Sequence, residues 1–117
     1  MYGFPSDFDP SAFVGRELSS VTYVTNVIVL EFDDLVVSVF AEISYRTSSG
    51  GESYTESPPA ERSNLIALLG RTVIAANLPS SRELNLELER GGLIRLVDGS
   101  EPYESFLFKV SGREFIV

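Results

Sequence analysis

Two phrases half a chain apart constrain this sequence most. Phe13-Val14-Gly15-Arg16-Glu17-Leu18 and Leu68-Leu69-Gly70-Arg71-Thr72-Val73 each place two apolar residues before Gly-Arg and a strand-like run after it. Aligning the two Gly-Arg pairs sets Leu18 on Val73 and Val21 on Ala76. With small insertions, Ile28, Leu30 and Phe32 then fall on Leu84, Leu86 and Leu88, and Val37 and Val39 on Ile94 and Leu96. Alternation at period two marks strands with one buried face. In the second copy Asn85, Glu87 and Glu89 fill the opposite face. Matched order, spacing and pattern predict a duplicated β unit.

Each copy opens on a helical signal. Asp9-Pro10 supplies a capping residue and a proline for a first turn, and Gly15 a stop in the left-handed region. Residues 58–69 predict a longer version, one short helix with Leu65, Leu68 and Leu69 on one face and Gly70 as its stop. The arginine after each glycine is expected to face solvent. Asp33-Asp34 and Arg90-Gly91-Gly92 predict hairpin turns, and 36–46 reads as one strand.

The fold expected is therefore mainly β: an antiparallel meander curled into a barrel or sandwich from two duplicated halves, with one helix near 58–69. The expected layout is one domain over 1–117. It has an N-terminal arm (1–12), a first β repeat (13–46), a loop with a weak strand (47–57), the helix (58–69) and a second repeat with C-terminal strands (70–117). Phe4 and Phe8 of the arm are expected to tuck into the core. Val27 and Val29 leave one strand greasy on both faces, which calls for cover by the 58–69 segment or by a second copy of the chain.

Composition narrows function more than it names one. Nine basic residues stand against seventeen acidic ones, a net charge of −8, and the arginines are scattered. Phosphate backbones and anionic membranes attract clustered Lys and Arg, so neither nucleic acid nor membrane is an expected partner. A basic protein is, through electrostatic steering. Histidine and cysteine are both absent, which removes the commonest general base and the usual ligands of zinc, iron and copper. Asp7 and Asp9 lack the glycine-bearing loop of a calcium site. Lys109 and Ser105 on one strand face would stand roughly 13 Å apart, too far for a dyad. Glu87 and Glu89 would sit roughly 6.6 Å apart, at the edge of the inverting-glycosidase range, but alternation with leucines also describes an ordinary wet face. No enzyme, cofactor or metal site is expected. MYGFPSDFDP has neither the basic segment nor the apolar core of a signal peptide, so the expected location is cytoplasmic.

The order Leu68-Leu69-Gly70-Arg71-Thr72-Val73, Asp98-Gly99-Ser100, Tyr103-Glu104-Ser105-Phe106 resembles an uncharacterised family of small bacterial β proteins, in which a Tyr-Glu-Ser-aromatic tetrad follows an Asp-Gly turn. The resemblance implies a small duplicated β domain and carries no catalytic residue. The expected role is a non-enzymatic protein-binding domain, immunity-like in form, meeting a basic partner or a second copy of itself. Its binding residues are expected among Glu31, Glu87, Glu89, Tyr103 and Glu104, with Arg71 or Arg16 as the ion-pair partner of Glu104 if that carboxylate is buried. The alternative is a small-molecule-binding or enzymatic β-barrel.

Overall fold

Asp9 begins the first element. Its carboxylate accepts a hydrogen bond from the Ser11 amide at 3.0 Å, Pro10 takes the first helical position, and a 3-10 turn runs over Pro10–Phe13. The computed structural model describes residues 4, 8–98, 106–110 and 113–116. Within them the strands are β1 (Leu18–Val24), β2 (Val27–Phe32), β3 (Leu35–Val39), β4 (Ile43–Arg46), β5 (Ser53–Glu56), β6 (Val73–Ser80), β7 (Glu83–Leu88), β8 (Gly92–Val97), β9 (Phe106–Val110) and β10 (Arg113–Ile116). They form two antiparallel sheets, ordered β1-β2-β3-β9-β10 and β5-β4-β8-β7-β6.

The chain changes sheets after β3. The stretch expected to be one strand over 36–46 breaks at Phe40-Ala41-Glu42, and β4 pairs with β8 on the other sheet. After β8 the chain returns, and β9 pairs with β3. Each sheet thus takes its outer pair of strands from a distant part of the sequence. The sheets are not closed into a barrel. Between the β1 and β6 edges the ladder shrinks to one isolated bridge, Glu17 to Thr72, and a single pair cannot continue a sheet around.

The inward-facing half of the alternation predicted for β2 and β7 is present. Ile28, Leu30 and Phe32 from one sheet and Leu84, Leu86 and Leu88 from the other are buried in one shared core, joined there by Val37, Val39, Ile94 and Leu96. In β1 the register slips between Leu18 and Ser20, and in β6 between Val73 and Ala75. An extra residue on one strand reverses the faces beyond it. That is why Val21 and Tyr23, and Ala76 and Leu78, pack against the core although Leu18 and Val73 do too. Phe4 and Phe8 are also buried there, as expected of the arm.

No helix spans 58–69. The segment holds only a 3-10 turn, Leu65–Leu68, and helices other than 3-10 turns are absent from the described residues. Two consecutive prolines remove two backbone donors, and Pro59 disfavours helical dihedrals at Pro58. The Ser63 hydroxyl accepts from the Leu65 amide at 3.1 Å and the Asn64 side chain makes no cap, so the chain enters the turn late. Side chains three apart eclipse in a 3-10 turn, so Leu65 and Leu68 are buried together while Leu69 is left exposed.

The outer face of the first sheet has no cover from this segment. Val27, Val29 and Val36 are only half-buried, and Val24 and Phe40 are 48% and 41% exposed.

Candidate functional site

The two Gly-Arg phrases meet. Around the Glu17–Thr72 bridge, the Gly15 amide donates to Val73 O at 2.8 Å and the Gly70 amide to Leu18 O at 2.9 Å. The Leu18 amide donates to Arg71 O at 3.0 Å and the Val73 amide to Arg16 O at 2.9 Å. Gly15 and Gly70 hold φ of +86° and +85°, the left-handed region that a side chain disfavours. From there each chain swings out of its turn and into the seam.

Each hairpin then folds its turn back onto the same bridge. The Asp33 amide donates to Glu17 O at 3.1 Å, and Asp33 Oδ2 accepts from the Glu17 amide at 3.1 Å. Across the seam, the Glu89 amide donates to Thr72 O at 3.0 Å, and Glu89 Oε1 accepts from the Thr72 amide at 2.8 Å. Buried or edge amides need acceptors, and here two carboxylates supply them.

The two arginines do not simply face solvent, as the strand reading has it. Arg16 donates its Nε to Ala12 O at 2.7 Å and forms an ion pair with Asp34. Arg71 donates Nη1 to Thr47 O at 2.5 Å and to Glu89 O at 3.3 Å. A guanidinium has five donors in a fixed fork, enough to tie together carbonyls that the strand ladders leave over. Both arginines are clamps on the seam.

Of the residues expected to bind a partner, Glu31 and Glu87 occupy matching places, Glu31 opposite Ser20 and Glu87 opposite Ala75. They lie on different sheets, so they form no continuous stripe across one strand face. Glu87 is exposed and Glu31 half-buried. Glu89 has left the strand: β7 ends at Leu88, and Glu89 sits in a 3-10 turn, Glu89–Gly91, with its carboxylate on Thr72. The 6.6 Å strand-face pairing with Glu87 does not form. Tyr103 and Glu104, with Ser105 and Ser111, lie outside the described residues, and so does any pairing of Glu104 with Arg71 or Arg16.

What the seam assembles is a collection of carboxylates. Glu17, Asp33 and Asp34 are exposed on one side and Glu89 is half-buried on the other, with Glu31 and Glu87 flanking them on the two sheets. Among the described residues no group of three or more Asp or Glu is arranged to hold a metal ion. Asp9 has its own task at the first turn, where hydrogen bonds from the Ser11 side chain and amide hold its carboxyl below the usual range.

A second polar cluster escaped the sequence. Tyr45, buried on β4, donates its hydroxyl to Glu56 and accepts from the Asn64 amide at 2.8 Å. Burial, and then the Glu56 carboxylate, push the Tyr45 hydroxyl up to about 12. Tyr23 donates to Ser63 Oγ at 2.5 Å, and burial raises its pKa too. Tyr54 stacks on Tyr45 with ring centres 5.3 Å apart. These bonds tie the 57–64 loop to both sheets. The only signal in the sequence is hydroxyl-bearing aromatics at strand positions that would bury them, and its meaning depends on where that loop lands.

No helix of the described chain is long and apolar enough to cross a membrane. Comparison with protein-family models, with curated proteins and with solved structures finds no match to this chain.

Proposed function

We propose that this chain is a non-enzymatic protein-binding domain, built by tandem duplication, that meets a basic protein partner through the carboxylates gathered at its seam. The observation that carries the reading is the seam itself. Its four backbone hydrogen bonds exchange in pairs when residues 15–18 are swapped with 70–73. The duplication has further support in the shared register slip of β1 and β6, and in strand orders that become equivalent when β1, β2, β3, β9 and β10 are set against β6, β7, β8, β4 and β5. On this reading each half gives three strands to one sheet and two to the other.

The electrostatic part follows from which charges are already engaged. Arg16 and Arg71 donate to protein acceptors and Asp34 is taken up by Arg16, whereas the side chains of Glu17 and Glu87 remain exposed. Exposed carboxylates around a rigid backbone seam favour association with a basic surface and reject acidic ones. An immunity-like role, blocking a basic partner, is the specific form of this function. The test is retention of a partner from the source organism's extract on immobilised protein. A basic protein is expected to be held at low salt and released by about 0.5 M NaCl, where screening is nearly complete beyond a few ångströms. The double reversal Glu17→Lys, Glu87→Lys is expected to weaken retention about tenfold or more with an unchanged melting temperature. Retention indifferent to both salt and charge reversal would refute the proposal.

The apolar outer face of the first sheet favours a second reading, self-association through Val24, Val27, Val29 and Phe40. Light scattering over a concentration series is expected to show a dimer. A monomer throughout removes this reading and leaves the first untouched.

A further inference from the structure

The outer face of the second sheet differs sharply in character from the first. A depression of ≈ 310 Å³ crosses β5, β4 and β8 there, lined by Arg46, Arg95, Ser44, Ser53 and Thr55 over Leu93. We propose that it is a binding site for a small oxyanion-bearing molecule, a phosphate or a carboxylate, distinct from the acidic seam.

Register brings these groups together. Ser44 lies opposite Thr55 on one side and Arg95 on the other, and Arg46 lies opposite Ser53 and Leu93. Residues two apart on a strand share a face, so the two rows stand side by side on the outer surface. Arg46 and Arg95 are diagonal neighbours on adjacent strands, with Cα atoms roughly 7–8 Å apart, within reach of two long side chains converging on one anion.

The charge pattern there reverses that of the chain. Acidic residues outnumber basic ones almost two to one in the sequence, yet none lines the depression. The sheet architecture does not impose this. At the same register of the first sheet, Ser38 and Leu107, and Val36 and Lys109, stand where Arg95 and Ser44, and Leu93 and Arg46, stand here.

Arg95 is held from behind by an ion pair, and Arg46 more loosely by a long hydrogen bond. Arg95 sets its Nε 3.2 Å from Glu83 Oε2, and Arg46 donates its Nε to Gly91 O at 3.4 Å. Their terminal Nη groups have no acceptor among the described residues. Guanidinium groups held in this way lose less freedom on binding, and their remaining donors suit two oxygens of a carboxylate or phosphate. The hydroxyls are spare as well. Ser44 Oγ and Thr55 Oγ1 are 3.3 Å apart, a long bond that an anion can displace. The volume stands at the lower limit of ligand pockets, which selects a small ligand over a macromolecule.

Amide chemical shifts of the full chain, titrated with inorganic phosphate and separately with succinate against sodium chloride at matched ionic strength, test the proposal. Saturable shifts confined to β4, β5 and β8 are expected with at least one of the two anions, and which one responds tells phosphate from carboxylate recognition. Arg46→Gln and Arg95→Gln are each expected to weaken binding about tenfold, as loss of a charge-assisted contact does. The rest of the spectrum should stay in place, which shows that the variants fold. Shifts that never saturate, that chloride reproduces, or that survive the double variant would overturn it.

Discussion

Phe32→Ala is expected to lower the free energy of unfolding by about 3–5 kcal/mol, the range for deleting a well-packed core phenylalanine. Phe32 ends β2 fully buried, facing Leu18 on one neighbouring strand and Leu35 on the other. Its ring meets Phe13 edge to face, centres 5.4 Å apart at 85°. Phe13 in turn lies 6.4 Å from Phe8, and Phe8 lies 5.2 Å from Phe4. A cavity at Phe32 therefore undercuts both the seam and the aromatic chain that ties down the N-terminal arm. Domains of this kind hold roughly 5–15 kcal/mol in all, so the loss is a large fraction of the total. Urea denaturation monitored by circular dichroism measures the loss. Phe32→Leu, which keeps most of the volume, should cost clearly less. A loss below about 1 kcal/mol for the alanine variant would mean that the site is loosely packed, contrary to the burial described.

Gly91→Ala is expected to be nearly as damaging, and Gly70→Ala provides the comparison that shows why. Both glycines have φ in the left-handed region, +78° and +85°. A side chain there costs roughly 1–2 kcal/mol. Open space surrounds Gly70, with nothing within 4 Å of an added Cβ, so that cost is the whole expectation. At Gly91 the added carbon would overlap the backbone nitrogen and Oγ of Ser49. Backbone yields less readily than a side-chain tip, and overpacking typically adds about 1–3 kcal/mol. The total expected for Gly91→Ala is thus about 2–5 kcal/mol, read from the same urea curves. Equal losses in the two variants would show that the 47–51 loop gives way freely and that the close approach does not matter.

The residues that were legible in advance share a physical property: their preference is local. Alternation in 84–88 specifies a strand whatever surrounds it, because only one face can be apolar and buried. Asp9-Pro10 caps a turn through atoms two residues away. Gly15 and Gly70 mark left-handed corners because nothing else fits there cheaply. The same local reasoning misjudged 58–69, where leucines at helical spacing had to compete with two prolines and a serine that bonds its own backbone. It also misjudged Glu89, whose place in the alternation was overruled by an amide of Thr72, seventeen residues away.

By itself, then, the chain order determined which faces of β2 and β7 turn inward and where two glycines must bend the backbone. Both of these depend on neighbours a few bonds away. Only the tertiary structure decided that β3 and β4 belong to different sheets, that the two Gly-Arg phrases bind each other, and that Arg46 and Arg95 share one depression. Those outcomes depend on which distant backbone donors and acceptors find one another when apolar faces leave water. Strand pattern says that a partner is needed and is silent about which one.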